Sequence, residues 1–118
     1  MYSSNRYFEM ALAELDKIDV VAPVSAGAKI EKGYVLGQLD ELSRAHETYQ
    51  DALELAGRYS SQSVYKAAAL RGIGFILIEM QRLDEAEEAL QKSLAIEPGN
   101  DTALNELAYI KELRGSQI

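Results

Sequence analysis

An internal repeat constrains the fold of this chain more than any other feature of its sequence. Eight small or apolar positions between residues 33 and 55 recur, 41 residues further on, between residues 74 and 96. The first set is Gly33, Leu36, Leu42, Ala45, Tyr49, Ala52, Leu53 and Leu55, and the second is Gly74, Leu77, Leu83, Ala86, Leu90, Ser93, Leu94 and Ile96. Repeats of roughly 20–50 residues cannot bury an apolar face alone, so they stack into arrays.

Apolar residues recur at three- and four-residue spacing along the whole chain, which predicts helices and no strand. The predicted helices cover residues 4–18, 26–39, 43–58, 63–80, 84–97 and 101–114. A proline and several β-branched residues predict a connection over residues 19–24. Consecutive helices joined by short turns pack antiparallel, so we expect an all-α fold of about six helices in helix-turn-helix pairs.

Capping signals mark the starts of three of these helices. Ser25 is expected to cap the second helix through its hydroxyl group. Asp84, with Glu87 three residues later, has the spacing in which two carboxylates satisfy the first free amides of a helix. Asn100 or Asp101 is expected to cap the sixth helix, which Gly115 ends.

The segment over residues 67–100 is 34 residues long and resembles one complete unit of the tetratricopeptide repeat (TPR) family. The run LDEAEEALQKSLAIEPGN is its most specific part, and Ser93 departs from the alanine usual in that family. The positions that match are Leu70, Ile73, Gly74, Leu77, Leu83, Ala86, Leu90, Leu94, Ile96 and Pro98. The resemblance implies a single α-solenoid domain over residues 1–118.

The resemblance divides this domain into unequal parts. Residues 63–100 form one repeat, and residues 26–58 form an earlier one that is stretched by seven residues, about two helical turns. We expect either a longer second helix running through Arg58 or a longer loop around residues 59–62. The helix over residues 101–114 starts a third unit and caps the array, and the N-terminal helix resembles the second half of an upstream unit.

In TPR proteins the first helix of each pair lines a concave groove in which a partner peptide or helix binds. The register of this chain therefore implies groove positions on three helices. They are Ile30, Tyr34 and Gln38 on the first, Arg71, Phe75 and Glu79 on the second, and Asn105, Tyr109 and Leu113 on the third.

Tyr34, Phe75 and Tyr109 form an aromatic row at one repeat position, and aromatic residues are over-represented at binding hot spots. Arg71 and Asn105 are placed to bind polar groups of a partner. The alternative is that the groove is covered by the N-terminal helix, by the end of the chain or by a second copy.

Three functions follow from the resemblance. The first is an adaptor that binds a peptide or helix of another protein, and the second is a homo-oligomerisation module, for example a homodimer. The third is a small chaperone that holds a client protein. The cationic groove by which some family members hold acidic chaperone tails is not expected, because Ile30, Tyr34, Phe75 and Tyr109 occupy such positions.

Composition disfavours several other classes of function. The net charge of −7 disfavours nucleic acid and anionic lipid as partners. The chain has no cysteine and one histidine, His46, so catalytic and metal-binding constellations lack members and we expect no enzyme activity, metal or cofactor. No signal peptide or membrane-spanning run is present, which favours the cytoplasm over insertion in a membrane.

Overall fold

The computed structural model describes residues 3–21, 25–58 and 63–115, and these residues form helices and no strand. Within that part of the chain there are six helices. They are α1 (Ser3–Val21), α2 (Ala26–Gln38), α3 (Leu42–Arg58), α4 (Ser63–Glu79), α5 (Leu83–Ile96) and α6 (Asp101–Gly115). The predicted all-α fold of helix-turn-helix repeats is confirmed.

The helices form two layers. Each helix packs on the next along the chain, while α4 also packs directly on α2 and on α6. Helices α2, α4 and α6 therefore lie side by side in an inner layer, and α3 and α5 lie behind them. The smallest dimension of the molecule is 21 Å, the thickness of two helices of about 10 Å each.

The two repeats use the same turn between their helices. Asp40 after α2 and Gln81 after α4 both have a φ of 63°, in the left-handed region. In each turn the following residue donates its amide to a carbonyl five residues earlier, Glu41 to Leu36 and Arg82 to Leu77. The 41-residue offset of the sequence thus reappears in the backbone.

Small residues allow the two helices of each repeat to approach closely. A Cβ atom added at Gly74 would lie 2.6 Å from Cγ of Leu90 in α5. At the matching position of the first repeat, a Cβ atom added at Gly33 would lie 2.9 Å from the ring of Tyr49 in α3. Ala45 and Ala86 are fully buried at their repeat positions, so the core of each pair is built from matched small and large residues.

The seven additional residues of the first repeat are divided between two helices. Helix α3 has 17 residues against 14 for α5, which accounts for three of them at the predicted end, Arg58. Helix α4 starts eleven residues before Gly74, whereas α2 starts seven residues before Gly33, which accounts for the other four. The alternative of a longer loop concerns residues 59–62, which lie outside the described residues.

Most predicted helix ends lie within one residue of the observed ones, but the predicted end of α1 and the predicted cap of α5 are wrong. Helix α1 continues to Val21 rather than ending before Asp19, because β-branched residues lower helix propensity only slightly. The rest of the predicted connection, residues 22–24, lies outside the described residues. Helix α5 starts at Leu83, so Asp84 lies inside its first turn, and the residue at the cap position is Arg82, whose side chain makes no capping bond.

The carboxylates predicted to cap α5 instead pair with an arginine of α6. Arg114 of α6 donates to Glu87 at 2.9 Å and to Asp84 through its other terminal nitrogen. The acidic residues remain favourable near the positive end of the helix dipole. Their main contacts are therefore between helices α5 and α6.

The other two predicted caps are present. The Ser25 hydroxyl accepts a hydrogen bond from the Ala28 amide at 3.1 Å, and Oδ1 of Asn100 accepts one from the Ala103 amide at 3.0 Å. Asn100, rather than Asp101, is thus the cap of α6. Each bond satisfies one of the free amides at a helix start.

One face of α6 lacks the cover that its counterparts receive. Leu104 is 46% exposed, whereas Leu70 at the matching position of α4 is 8% exposed. Leu70 and Gly74 face α5, and within the described residues no outer helix follows α6 to cover Leu104. Ala103 and Ile110, about a third of a turn around α6 from Leu104, are buried.

Candidate functional site

A concave cavity of about 840 Å³ lies on the open side of the inner layer. Helices α1, α2, α4 and α6 contribute most of its walls, and α3 contributes one side chain. The residues that line it are Tyr7, Phe8, Ala11, Glu14, Leu15, Ile30, Glu31, Tyr34, Val35, Gln38, Tyr49, Ala68, Arg71, Gly72, Phe75, Thr102 and Glu106. Its volume is within the usual range for ligand-binding clefts, roughly 300–1,000 Å³.

Five of the residues expected in the groove line this cavity. Helix α2 contributes Ile30, Tyr34 and Gln38, and α4 contributes Arg71 and Phe75. Tyr34 is 54% exposed and Phe75 is half-buried, so both offer ring surface to an incoming group. The first two helices of the inner layer thus bring five of their six expected side chains to one cavity.

The remaining expected residues lie outside the cavity walls. Helix α6 packs on α4 through the side that carries Ala103, which brings Thr102 and Glu106 to the cavity. Asn105 and Tyr109 are on the same side of α6 as these two residues but do not line the cavity, and both are exposed, Tyr109 by 48%. The expected aromatic row is therefore represented in the cavity by Tyr34 and Phe75.

Glu79 and Leu113, which were also expected in the groove, do not line the cavity. Glu79 is exposed at the last position of α4, and Leu113 is half-buried near the end of α6, where it packs against the core.

Helix α1 forms one wall of the cavity without filling it. The Phe8 ring meets the Tyr34 ring edge to face, with centroids 6.3 Å apart, and Tyr7 meets Phe8 in the same way at 5.3 Å. Leu15 is buried, and Asp16 pairs with Lys32 of α2 at 2.9 Å. The N-terminal helix thus enlarges the aromatic surface, and Tyr34 keeps half of its own surface exposed.

The floor of the cavity contains a side chain from the outer layer. Tyr49 belongs to α3, yet its ring passes between α2 and α4 and reaches the cavity. It passes beside Gly33 and Gly72, where an added Cβ atom would collide with the ring. Burial, together with the nearby Tyr34 phenol, raises the pKa of Tyr49 to about 12, so its hydroxyl stays protonated at neutral pH.

Arg71 is already engaged within the protein. Its Nη1 donates to Oε1 of Glu97 at 2.7 Å, and the amide of Asn100 also approaches that oxygen at 3.5 Å. Both charged side chains are largely covered, with exposures of 22% and 31%. This pair ties α4 to the turn between α5 and α6, so Arg71 enters the cavity wall with its charge matched.

Glu106 at the α6 side of the cavity is a half-buried carboxylate. Burial raises its pKa, and the negative charge of Glu79 raises it further. A group whose charged form is disfavoured in this way has the most to gain from a cation brought close to it.

Among the described residues outside the cavity, few side chains are placed for catalysis or metal binding. His46 is half-buried on α3, and burial together with Arg82 lowers its pKa against the opposing effect of Glu85. Across residues 3–21, 25–58 and 63–115, no group of three or more His, Asp or Glu residues is placed to hold a metal ion. None of the helices in the same ranges has the length and apolar character needed to cross a membrane.

Sequence reasoning missed the α1 wall and the Tyr49 floor. A signal for the second was present, because Gly72 is a glycine in addition to the Gly74 of the repeat pattern, and a second glycine marks a close approach. No comparable signal identifies the α1 wall, since the position of α1 depends on packing over the whole inner layer.

Comparisons with known proteins agree with this architecture. A family model described as a tetratricopeptide repeat matches residues 25–97. A search of curated proteins found no match. Among solved structures, the first TPR domain of the human RPAP3 protein superposes with a TM-score of 0.81 at 22% identity, covering 92% of this chain and 80% of that one.

Two further structures have the same fold. One is the second TPR domain of human RPAP3 in complex with the HSP70 peptide SGPTIEEVD, with a TM-score of 0.75, 22% identity, and coverage of 88% of this chain and 81% of that one. The other is MamA, with a TM-score of 0.74, 29% identity, and coverage of 88% and 57%. Because the family model matches well over half of its residues, the chain belongs to the tetratricopeptide repeat family.

Proposed function

We propose that this chain is a non-enzymatic protein-interaction module that binds a peptide or helix of a partner protein in the cavity between α1, α2, α4 and α6. The observation that carries the proposal is the open aromatic cavity of about 840 Å³, in which Tyr34 is 54% exposed. Aromatic side chains provide a large contact area at a low cost in conformational entropy.

The family supports this proposal at a coarser level. TPR domains generally act by binding other proteins, and the second TPR domain of RPAP3 is in complex with an HSP70 peptide. That structure shares 22% identity with this chain, so its own ligand is not carried over. What supports binding here is the cavity of this chain and the aromatic rings around it.

The test uses two exposed side chains of the inner layer that lie on different sides of it. Peptides selected from a random 16-residue display library on the wild-type chain are measured against Tyr34→Ala and Leu104→Ala by fluorescence anisotropy. We expect Tyr34→Ala, in the cavity, to weaken binding by about tenfold or more, as loss of a hot-spot aromatic does. Leu104→Ala, about half a helical turn away from the cavity residues Thr102 and Glu106 of α6, should leave affinity within about twofold.

Equal affinity in both variants, or a library that yields no binder sensitive to Tyr34→Ala, would contradict the proposal. Circular dichroism and thermal melting of both variants check that each remains folded. Because both residues are exposed, neither substitution removes a side chain from the core.

A second candidate, self-association, is supported by the uncovered face of α6. Leu104 is 46% exposed where its counterpart Leu70 is covered by an outer helix, so a second copy could provide the missing cover. This candidate is distinguished by the mass of the chain in solution.

A further inference from the structure

The charged groups around the cavity are mostly acidic. Glu14 of α1, Glu31 of α2 and Glu106 of α6 line it on three different helices. Glu14 pairs with Lys17 at 3.3 Å, but both side chains are 72% exposed and such a pair contributes little in water. Carboxylates thus border the apolar floor on several sides.

The single guanidinium in the cavity wall does not offset them. Arg71 is bound to Glu97 at 2.7 Å, so a fourth carboxylate neutralises it before any ligand arrives. Besides this pair and the exposed Glu14–Lys17 pair, the wall carries the carboxylates of Glu31 and Glu106. Within a partly enclosed site this negative potential is screened less than it would be on an open surface.

The aromatic rings of the cavity also favour a cationic ligand. Tyr7, Phe8, Tyr34 and Phe75 line the cavity, and the negative face of an aromatic ring attracts ammonium and guanidinium groups. A Lys or Arg side chain can lay its methylene groups on these rings while its charged end reaches a carboxylate at the border. Ring surface and carboxylates together suit a ligand that is both apolar and cationic.

We propose that the occupant of this cavity is a basic segment of a partner protein, one that places an aliphatic or aromatic side chain on the ring surface and Lys or Arg side chains against Glu31 and Glu106. Those carboxylates stand on α2 and α6, with α4 between them, so they would contact cations on two sides of the apolar anchor. The inference rests on the proposed function.

An acidic segment fits this cavity poorly. Glu31 and Glu106 would repel its carboxylates, and Arg71 could bind them only by breaking its ion pair with Glu97. Glu106 also favours a basic segment over an acidic one. Burial and the charge of Glu79 raise its pKa, and a nearby cation would lower that pKa again. Binding of a basic segment should therefore tighten as the pH rises through the pKa of Glu106.

The test compares two display libraries of 16-residue peptides with identical aromatic and aliphatic content. One library carries Lys and Arg at its charged positions, and the other carries Asp and Glu. We expect binders only from the basic library, with affinity that falls as salt is raised. Glu31→Gln and Glu106→Gln should each weaken those binders by about two- to fivefold, the range for partly exposed ion pairs.

The matched control is Glu47→Gln, which removes an exposed carboxylate from the outer helix α3 and should leave affinity unchanged. Binders from the acidic library with equal affinity that are lost in Tyr34→Ala would overturn the inference and leave the proposed function standing. If neither library yields a binder that depends on Tyr34, the proposed function falls as well. If Glu47→Gln weakens binding as much as the cavity variants, the effect is one of net charge and the inference is also overturned.

Discussion

At the scale of single residues, the position of Tyr49 shows how one side chain joins the core to the cavity. Its ring fills the space left by Gly33 and Gly72 on two neighbouring inner helices. Leu90 occupies the matching position of the second repeat and packs on Gly74 alone among the glycines. The side chain at this position thus differs in length between the repeats, and only the longer one, Tyr49, reaches the cavity floor.

Gly72→Ala should be destabilising, because its new methyl group would overlap the Tyr49 ring. We expect a loss of about 1–3 kcal/mol in the free energy of unfolding, the range for overpacking a core. In a Tyr49→Leu background the same substitution should cost far less, since Leu leaves the space open. Urea unfolding of the wild type, both single variants and the double variant measures this coupling.

The control for this cycle is Gly57→Ala. Gly57 lies in α3 with no atom near the position of an added Cβ, so alanine should raise stability by about 0.5–1 kcal/mol through its better helix propensity. Additive effects of Gly72→Ala and Tyr49→Leu would show that the ring does not occupy the space beside Gly72.

The buried phenol of Tyr49 predicts a loss of stability at high pH. Burial raises its pKa from 10.0 to about 12, so between those values the folded chain keeps a proton that the unfolded chain has released. Unfolding is then favoured as the pH rises, by about 2 kcal/mol near pH 12. Urea midpoints between pH 9 and 12 should fall less steeply in Tyr49→Phe than in wild type, while the exposed-site variant Tyr109→Phe should follow wild type.

At the scale of elements, the turns after α2 and α4 are the most strictly repeated features. Both place a residue with a side chain in the left-handed region, Asp40 in one and Gln81 in the other, each with a φ of 63°. That conformation costs residues other than glycine roughly 1–2 kcal/mol, and less for aspartate than for most. Both side chains are exposed, so their packing contributes little to offset the cost.

Gln81→Gly should therefore stabilise the chain. We expect a gain of about 0.5–1 kcal/mol after the greater entropy of glycine in the unfolded chain is subtracted. Gln91→Gly is the matched control, because Gln91 is exposed inside helix α5 and glycine there should cost about 1 kcal/mol. Thermal melting of the two variants should move in opposite directions, and destabilisation by Gln81→Gly would contradict the prediction.

The helices also show which boundaries sequence could predict. Ser25 and Asn100 act as caps because each side chain can reach an amide three residues later, a strictly local matter. Asp84 is not the cap because α5 begins one residue earlier, at Leu83, and its carboxylate instead meets Arg114, thirty residues away. A local pattern of carboxylates does not reveal a partner on another helix, so the start of α5 could not be predicted from it.

At the scale of the whole molecule, the repeat register predicted the fold and five of the residues that line the cavity. Tyr34 and Phe75 reach the cavity because the helix pairs that carry them pack as the register implies. Tyr109 follows the same register on α6 but lies three residues beyond Glu106 and does not line the cavity. The wall formed by α1 could not be predicted from the register either, because it depends on tertiary packing rather than on a local sequence pattern.

The mass of the chain in solution distinguishes its two candidate functions. Apart from Leu104, the α6 face beyond α4 presents mostly polar and small side chains, and single exposed apolar residues are common on monomers. We therefore expect light scattering to give the 13.0 kDa of one chain at tens of micromolar. A mass that doubles with concentration, and returns to one chain in Leu104→Glu but not in Phe75→Ala, would assign self-association to α6 and leave the cavity free for a partner. If the doubling is instead removed by Phe75→Ala, a second copy occupies the cavity, and the oligomeric contact replaces partner binding as the function of this surface.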